Sequence, residues 1–261
     1  MTGSSVRLTI FLLLLLCLAL LERRWPRHAA PPQRYTRWPV NFGLAALYTA
    51  CLHLLMPWLA VDAAIWSQNH AIGILHVLRV PPLRAAIIAI AALDLAIYVQ
   101  HRLMHRVGIL WRLHRVHHSD LTLDVSSGVR FHPLEIFFSL GIKSAAVVLL
   151  GIAPIVVLAF EVVLSSFALL THANVALPIK VERVVRKIFV TSDMHRIHHS
   201  VALEEHDSNF GFHVSWWDRL FGTYTDQPRQ SQIRLDLGLA MFRTDAEQQL
   251  LPLLYQPFRR I

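Results

Sequence analysis

Five runs of this chain are so apolar that water would not tolerate them exposed, and each approaches the length that crosses a bilayer as a helix. A crossing takes about 20 mostly apolar helical residues, because hydrocarbon offers no partner to an unpaired backbone group. Leu8–Leu21 (LTIFLLLLLCLALL) is the first run. It has the length of a secretory leader, but it meets Glu22, Arg23 and Arg24 directly with no small-residue cleavage site, so it reads as a retained span. Val40–Leu59, with Pro57 near its end, is the second, and Leu83–Gln100, which carries Asp94, is the third. Ile136–Leu150 and Pro154–Leu170 are separated by Gly151, Ile152 and Ala153, a tight break that reads as a helical hairpin.

The composition agrees. Of 261 residues, 54% are hydrophobic and 16% charged, with a mean hydropathy of +0.44; a soluble domain carries about 25% charged residues. The fold class is therefore an all-α integral membrane protein. A net charge of +8 would suggest nucleic acid as a partner in a soluble chain. Here the basic residues flank apolar runs, as they do on the cytoplasmic side of membrane proteins, and nucleic acid is set aside. Cys17 and Cys51 lie inside apolar runs and read as small buried hydrophobes, neither a disulfide nor a metal pair.

Orientation follows from the loops. The 22–39 connection holds Arg23, Arg24, Arg27, Arg34 and Arg37, whereas 61–82 holds only Arg79. The first should be cytoplasmic and the second outside. Threading the remaining spans then puts 101–135 and 172–261 on the cytoplasmic side. The expected architecture is four to five membrane-spanning helices with a cytoplasmic helical cap. Ile179–Val190 (IKVERVVRKIFV) places Val181, Val184, Val185 and Ile188 on one helical face and Lys180, Arg183, Arg186 and Lys187 on the other. That pattern predicts a basic amphipathic helix in the headgroup layer. Trp216 and Trp217 suit the same layer.

Twelve of the sixteen histidines lie between His101 and His213. HRLMH sets His101 and His105 at i and i+4, on one face of a helix. HRVHHS sets His114, His117 and His118 at i, i+3 and i+4, and HRIHHS repeats the arrangement with His195, His198 and His199. The residues around the two boxes differ, so one ligand geometry needed twice explains them better than a recent duplication. Thr191-Ser192-Asp193 supplies an N-cap just ahead of the last box. Neutral imidazole is the commonest protein ligand for transition metals. Eight imidazoles in three one-faced groups exceed what one ion uses and suit two ions with about four or five ligands each. His172, at the cytoplasmic end of the hairpin, is the natural ninth. His132 is a further candidate, although Pro133 and Glu135 behind it suggest that it caps the next helix. His206 and His213 are not expected to be ligands, and His28, His53, His70 and His76 read as bystanders.

A carboxylate within a span is expensive and usually functional. Asp94, Tyr98, His101 and His105 share one face of the third span, so Asp94 and Tyr98 are expected to orient a ligand imidazole or its neighbours by hydrogen bonds. The competing reading is a hydrogen bond between helices with only a structural role.

These residues resemble those of the fatty acid hydroxylase/sterol desaturase superfamily, membrane di-metal oxygenases with an HxxxH box followed by two HxxHH boxes. The resemblance covers about Leu83–Tyr224. It rests on DLAIYVQHRLMH (94–105), HRVHHS (114–119), RFHPLE (130–135), HAN (172–174), HRIHHS (195–200), DSNFG (207–211) and WDRLFGTY (217–224). It implies metal ligands at His101, His105, His114, His117, His118, His195, His198 and His199, with His172 as the intermediate ligand. Some members carry another histidine four residues beyond that one. Here the position is Ala176, so the site either has one ligand fewer or is completed by another group, such as His132 or water. The resemblance further implies a di-iron centre that spends O₂ and two electrons to hydroxylate or desaturate a lipid C–H bond. Zinc, redox-inert, could not form the oxidising species. The chain shows no flavin or haem motif, so a separate electron-donor protein is expected as partner. The implied organisation is 1–80 as N-terminal spans, 81–226 as the catalytic domain and 227–261 as a cytoplasmic tail. Two other classes remain open, a membrane di-zinc hydrolase and a non-enzymatic metal transporter or sensor. The substrate is left open among sterols, fatty acyl chains, carotenoids and alkylglycerol ethers.

Overall fold

In the computed structural model the described residues, 3–29, 34–56 and 58–260, fold into helices joined by turns and irregular segments, the latter concentrated beyond 199. Among them there is no β-strand, only three isolated bridges. Five helical stretches are long and apolar enough to cross a membrane: Ser5–Arg24, Arg34–Val77, Pro82–Arg106, Pro133–Leu150 and Pro154–His172. They correspond to α1 (Gly3–Arg24), then α2 (Arg34–Leu55) with α3 (Ala60–Asn69) and the single turn α4 (Ile74–Val77), then α5 (Pro82–Arg106), α7 (Pro133–Leu150) and α8 (Pro154–His172). Between them α6 (Gly108–His118) follows α5 after Val107 alone. Pro57, expected to interrupt the second span, lies outside the described residues.

α7 and α8 begin, and α7 ends, where the sequence starts or stops a helix. Pro133 and Pro154 stand at first positions of α7 and α8, where the missing N–H is no loss. His132 caps α7, its ring nitrogen accepting from Leu134 N at 3.2 Å. Gly151 closes α7 in the left-handed region at φ 72°, its N–H on Val147 O. The tight break expected between the helices of 136–170 is therefore present at Gly151, and α7 and α8 meet across it through Lys143 and Glu161.

The interior is built from small residues where helices meet. Ala60, Ala64 and Ala89 are buried with Leu93, Val147, Val157 and Phe160 between α3, α5, α7 and α8, close packing of the kind membrane helices use. The outer faces are the reverse of a soluble protein. Leu12, Leu13, Leu16 and Leu20 on α1 and Leu83 and Ile87 on α5 stand exposed. Such a belt suits hydrocarbon.

Beneath the spans sits a polar floor. Glu22, at the end of α1, is buried and accepts from Val125 N at 2.6 Å and Asn174 N at 2.8 Å. Arg37 of α2 reaches Asp120 through Nε at 2.8 Å and Nη2 at 2.7 Å, and Asp124 at 2.9 Å. Arg130 is fully buried and donates to Val116 O, Asn41 Oδ1, Ser119 Oγ and Gln248 Oε1 at 2.8–3.0 Å. The segment beyond 227 joins this floor: the Arg115 guanidinium donates to Gln256 O and Arg259 O. Its helix Leu250–Tyr255 packs on α2.

One element departs from the sequence reading. The helix expected over Ile179–Val190 stops at Val185 as α9. Arg186 folds back onto Glu182 at 2.7 Å and onto Asp226, while Phe189 bridges to Val214 and Val190 N bonds His213 O. The Arg186–Asp226 ion pair and the Phe189–Val214 bridge outcompete roughly the last turn and a half. Glu182 is the residue that α9 buries, while Val181, Val184 and Ile188 are exposed.

Candidate metal centre

At the end of the bundle where α5 leaves the apolar layer, α6 and α10 (Ser192–His198) cross beneath α5 and α8. α5 is longer than the expected Leu83–Gln100, and the additional turn and a half carries His101 and His105. Thr191 Oγ1 caps α10 by accepting from Met194 N at 3.3 Å, as its sequence suggested.

The nine histidines converge into two groups. One nitrogen from each of His101, His105, His114, His118 and His198 lies within 4.8 Å of the others, and the same holds for His117, His172, His195 and His199. The doubled motif explains the division. Successive helical residues point about 100° apart, so the adjacent histidines of an HH pair face different ways. His114 and His118 of α6 go to the first group and His117 to the second. On α10 the allotment is reversed: His195 and His199 go to the second group and His198 to the first. The groups touch, with the His118 and His199 rings stacked at 4.3 Å.

Five of the rings are held by their Nδ1 atoms. His101 donates to Phe210 O at 2.8 Å, His114 to Glu135 Oε1 at 2.7 Å and His117 to Arg130 O at 3.2 Å. His172 donates to Ala168 O and His198 to Ser208 O, both at 2.7 Å. A carbonyl only accepts, so the four carbonyl contacts put the neutral ring's proton on Nδ1 and leave a lone pair on Nε2. The Nε2 atoms of His117 and His172 nevertheless face each other at 3.1 Å. Two lone pairs at that distance repel unless a cation lies against both. In the first group the Nε2 atoms of His101, His114 and His198 are buried with no hydrogen-bond partner, and both nitrogens of His105 and His118 are likewise unpartnered. Buried polar atoms without partners are rare and call for an explanation. The residues present fit two transition-metal ions.

Electrostatics point the same way. Burial pushes the His114 imidazole down to about 3. His117, His118, His195, His198 and His199 lie well below the ordinary range, first through burial and then through neighbouring imidazoles. A ring that resists protonation keeps its lone pair for a metal.

His132 does not join either group. Its Nδ1 caps α7 and its Nε2 meets Leu254 O at 3.2 Å, so both nitrogens are engaged at the polar floor. It therefore cannot replace the histidine absent at Ala176, and the second group stands with four rings. Asp94 and Tyr98, expected to orient a ligand imidazole or its neighbours, hydrogen-bond no ligand ring and reach neighbouring residues instead. Asp94 bonds His213 Nδ1 and accepts from Trp217 Nε1 at 2.8 Å, and Tyr98 bonds Thr223 at 2.8 Å. α5 turns this stretch toward the 207–224 segment, whose Phe210 carbonyl holds His101. His206 is buried beside them, 4.5 Å from the His118 ring, but is in neither group. Four supporting residues escaped sequence reading. Glu135 holds His114, and Arg130 offers His117 its carbonyl. Asn209, at φ 51°, aims Phe210 O at His101, and Asp218 fixes that turn by accepting from Phe210 N and Gly211 N, both at 2.8 Å. Only the unusual acid after RFHP and the DSNFG turn signal could have pointed to them.

A cavity of about 980 Å³ opens from the rings into the apolar layer. His101, His114, His117, His172 and His195 line one end, and Phe11, Phe42, Val129 and Leu164 line its walls. His53, read as a bystander, lines it too without joining either group.

Residues 86–223 match the model of the fatty acid hydroxylase family. The chain is 33% identical over 177 residues to an ornithine lipid hydroxylase of Rhizobium tropici, covering 67% of this chain and 50% of that protein. It is 27% identical over 137 residues to the human alkylglycerol monooxygenase, covering 52% of this chain and 29% of that protein. It is 29% identical over 133 residues to the human cholesterol 25-hydroxylase, covering 50% and 47%. The chain thus spans half or less of the length of these curated relatives. No solved structure matches it.

Proposed function

The chain belongs to the fatty acid hydroxylase family, and on that footing we propose that it is a multi-pass membrane oxidoreductase that hydroxylates a lipid C–H bond. In this reading residues 81–226 form the catalytic part. His101, His105, His114, His118 and His198 hold one iron, and His117, His172, His195 and His199 hold the other. Bound iron supplies the redox chemistry that uses O₂ and two electrons from a separate donor protein. The chain's own residues do the rest. Carbonyls and Glu135 fix the ring tautomers before any metal arrives, so little reorganisation is needed on binding. The cavity admits a lipid chain from the bilayer, sheds water from it and brings it against the rings. The arginine-rich 22–39 connection favours a cytoplasmic histidine end, where a soluble donor could reach it.

The observation that carries this reading is two groups of buried, lone-pair-facing imidazoles closing one end of an apolar cavity. A di-zinc hydrolase would use the same rings but has no need of O₂. The test is anaerobic purification, metal analysis and O₂ uptake with membrane lipids in the presence of a reductant. Lipid-dependent O₂ consumption that tracks iron content is expected. Full product formation by iron-free protein would overturn the proposal.

A further inference from the structure

The cavity has a second end with a different chemistry. Arg7 on α1, Lys143 on α7 and Glu161 on α8 line it there. Glu161 is 6% exposed and accepts from Arg7 Nη1 at 2.5 Å and from Lys143 Nζ. All three residues lie inside candidate spans, where charge is expensive and is kept for a purpose. A simple ion pair would need one cation. Two cations on one carboxylate leave a single positive charge facing a largely apolar space.

The two ends are related by helix geometry. Along α7, Glu135, Ser139 and Lys143 all line the cavity one turn apart, and Glu135 is the residue that holds His114. At 1.5 Å per residue Lys143 stands about 12 Å from Glu135, and Glu161 stands about 16 Å along α8 from His172. Phe11, Phe42 and Leu164 line the cavity's walls.

We propose that Arg7 and Lys143 hold the singly charged anionic head of the lipid substrate, so that a carbon about 12–16 Å along its chain meets the imidazole end. The inference rests on the lipid-oxidation reading and narrows it to an anionic acyl lipid, since a neutral sterol brings no counter-charge. Glu161 keeps the two cations together while the site is empty and leaves one charge for the ligand. The shared chemistry is a monoanion, which a carboxylate or a phosphodiester could supply.

The test is competitive binding to the purified full chain, read by native mass spectrometry with palmitate, methyl palmitate and a lysophosphatidylglycerol as probes. Palmitate or the phosphodiester should bind at least about tenfold more tightly than the ester, the scale of one charge-assisted contact. Lys143→Met should remove about that preference and leave ester binding unchanged, while Lys143→Arg should retain it. Glu161→Gln, near-isosteric, should strengthen the anions, an effect of opposite sign that a merely structural triad would not give. Equal binding of all three probes, no binding, or equal losses in Lys143→Met would overturn the inference. Charge-selective binding with no lipid oxidised by iron-loaded protein would sink the oxidation reading and leave the anion site standing. Oxidation indifferent to charge would do the reverse.

Discussion

At the scale of the residue, the centre is defined by where protons sit on imidazoles. His117 and His198 come from different boxes and different groups, and each is fixed through Nδ1 by a carbonyl. His117→Ala and His198→Ala should each abolish turnover and bring bound iron below two per chain, measured by elemental analysis. Normal turnover in either would remove that ring from the ligand set. Glu135→Gln keeps an acceptor for the His114 proton but removes the charge, and a supporting group of this kind is worth roughly 10–100-fold in metal affinity. A chelator competition should show a loss in that range, and an unchanged affinity would assign Glu135 to packing alone. The ring-bearing positions were legible because spacings of three and four residues put them on one helical face. Their allotment between two groups was not, since it depends on how α6 and α10 face each other. Nor was Glu135, whose partner lies on another helix, nor the pairing of Asp94 with His213, which joins distant parts of the chain.

At the scale of the element, short segments set the helices against one another. Gly128, in the 3-10 turn Val125–Val129, shows why. A Cβ there would meet Ala168 O at 2.2 Å, the same carbonyl that holds His172 Nδ1. Gly128→Ala must therefore push α8 away and turn His172. Overpacking of this kind typically destabilises by about 1–3 kcal/mol. Thermal unfolding in detergent should show the loss, together with reduced iron. Unaltered melting and metal content would mean that the turn yields without disturbing α8. The sequence marked helix starts and stops well where proline, glycine or threonine did the work, as at Pro133, Gly151 and Thr191. It misjudged α9 because Arg186 found Asp226 and Phe189 found Val214, partners that a helical wheel cannot display.

At the scale of the whole molecule, five apolar stretches, an exposed leucine belt and a polar floor agree with a multi-pass protein. That much was legible because each span announces itself by length and composition alone. The sidedness is a matter for labelling. In a chain freed of its own thiols by Cys17→Ala and Cys51→Ala, Asn69→Cys should react with an impermeant maleimide from outside, and Arg229→Cys only after the membrane is opened. The opposite pattern would invert the topology and place the rings away from a cytoplasmic donor.

The crossed allotment of the two HH pairs has a consequence for assembly. Neither α6 nor α10 gives its histidines to a single group, so under the proposed two-iron reading whatever seats one ion would prepare part of the cage for its neighbour. Occupancy is thereby tied together: a cell short of iron should hold empty and full copies side by side, with few half-charged ones between.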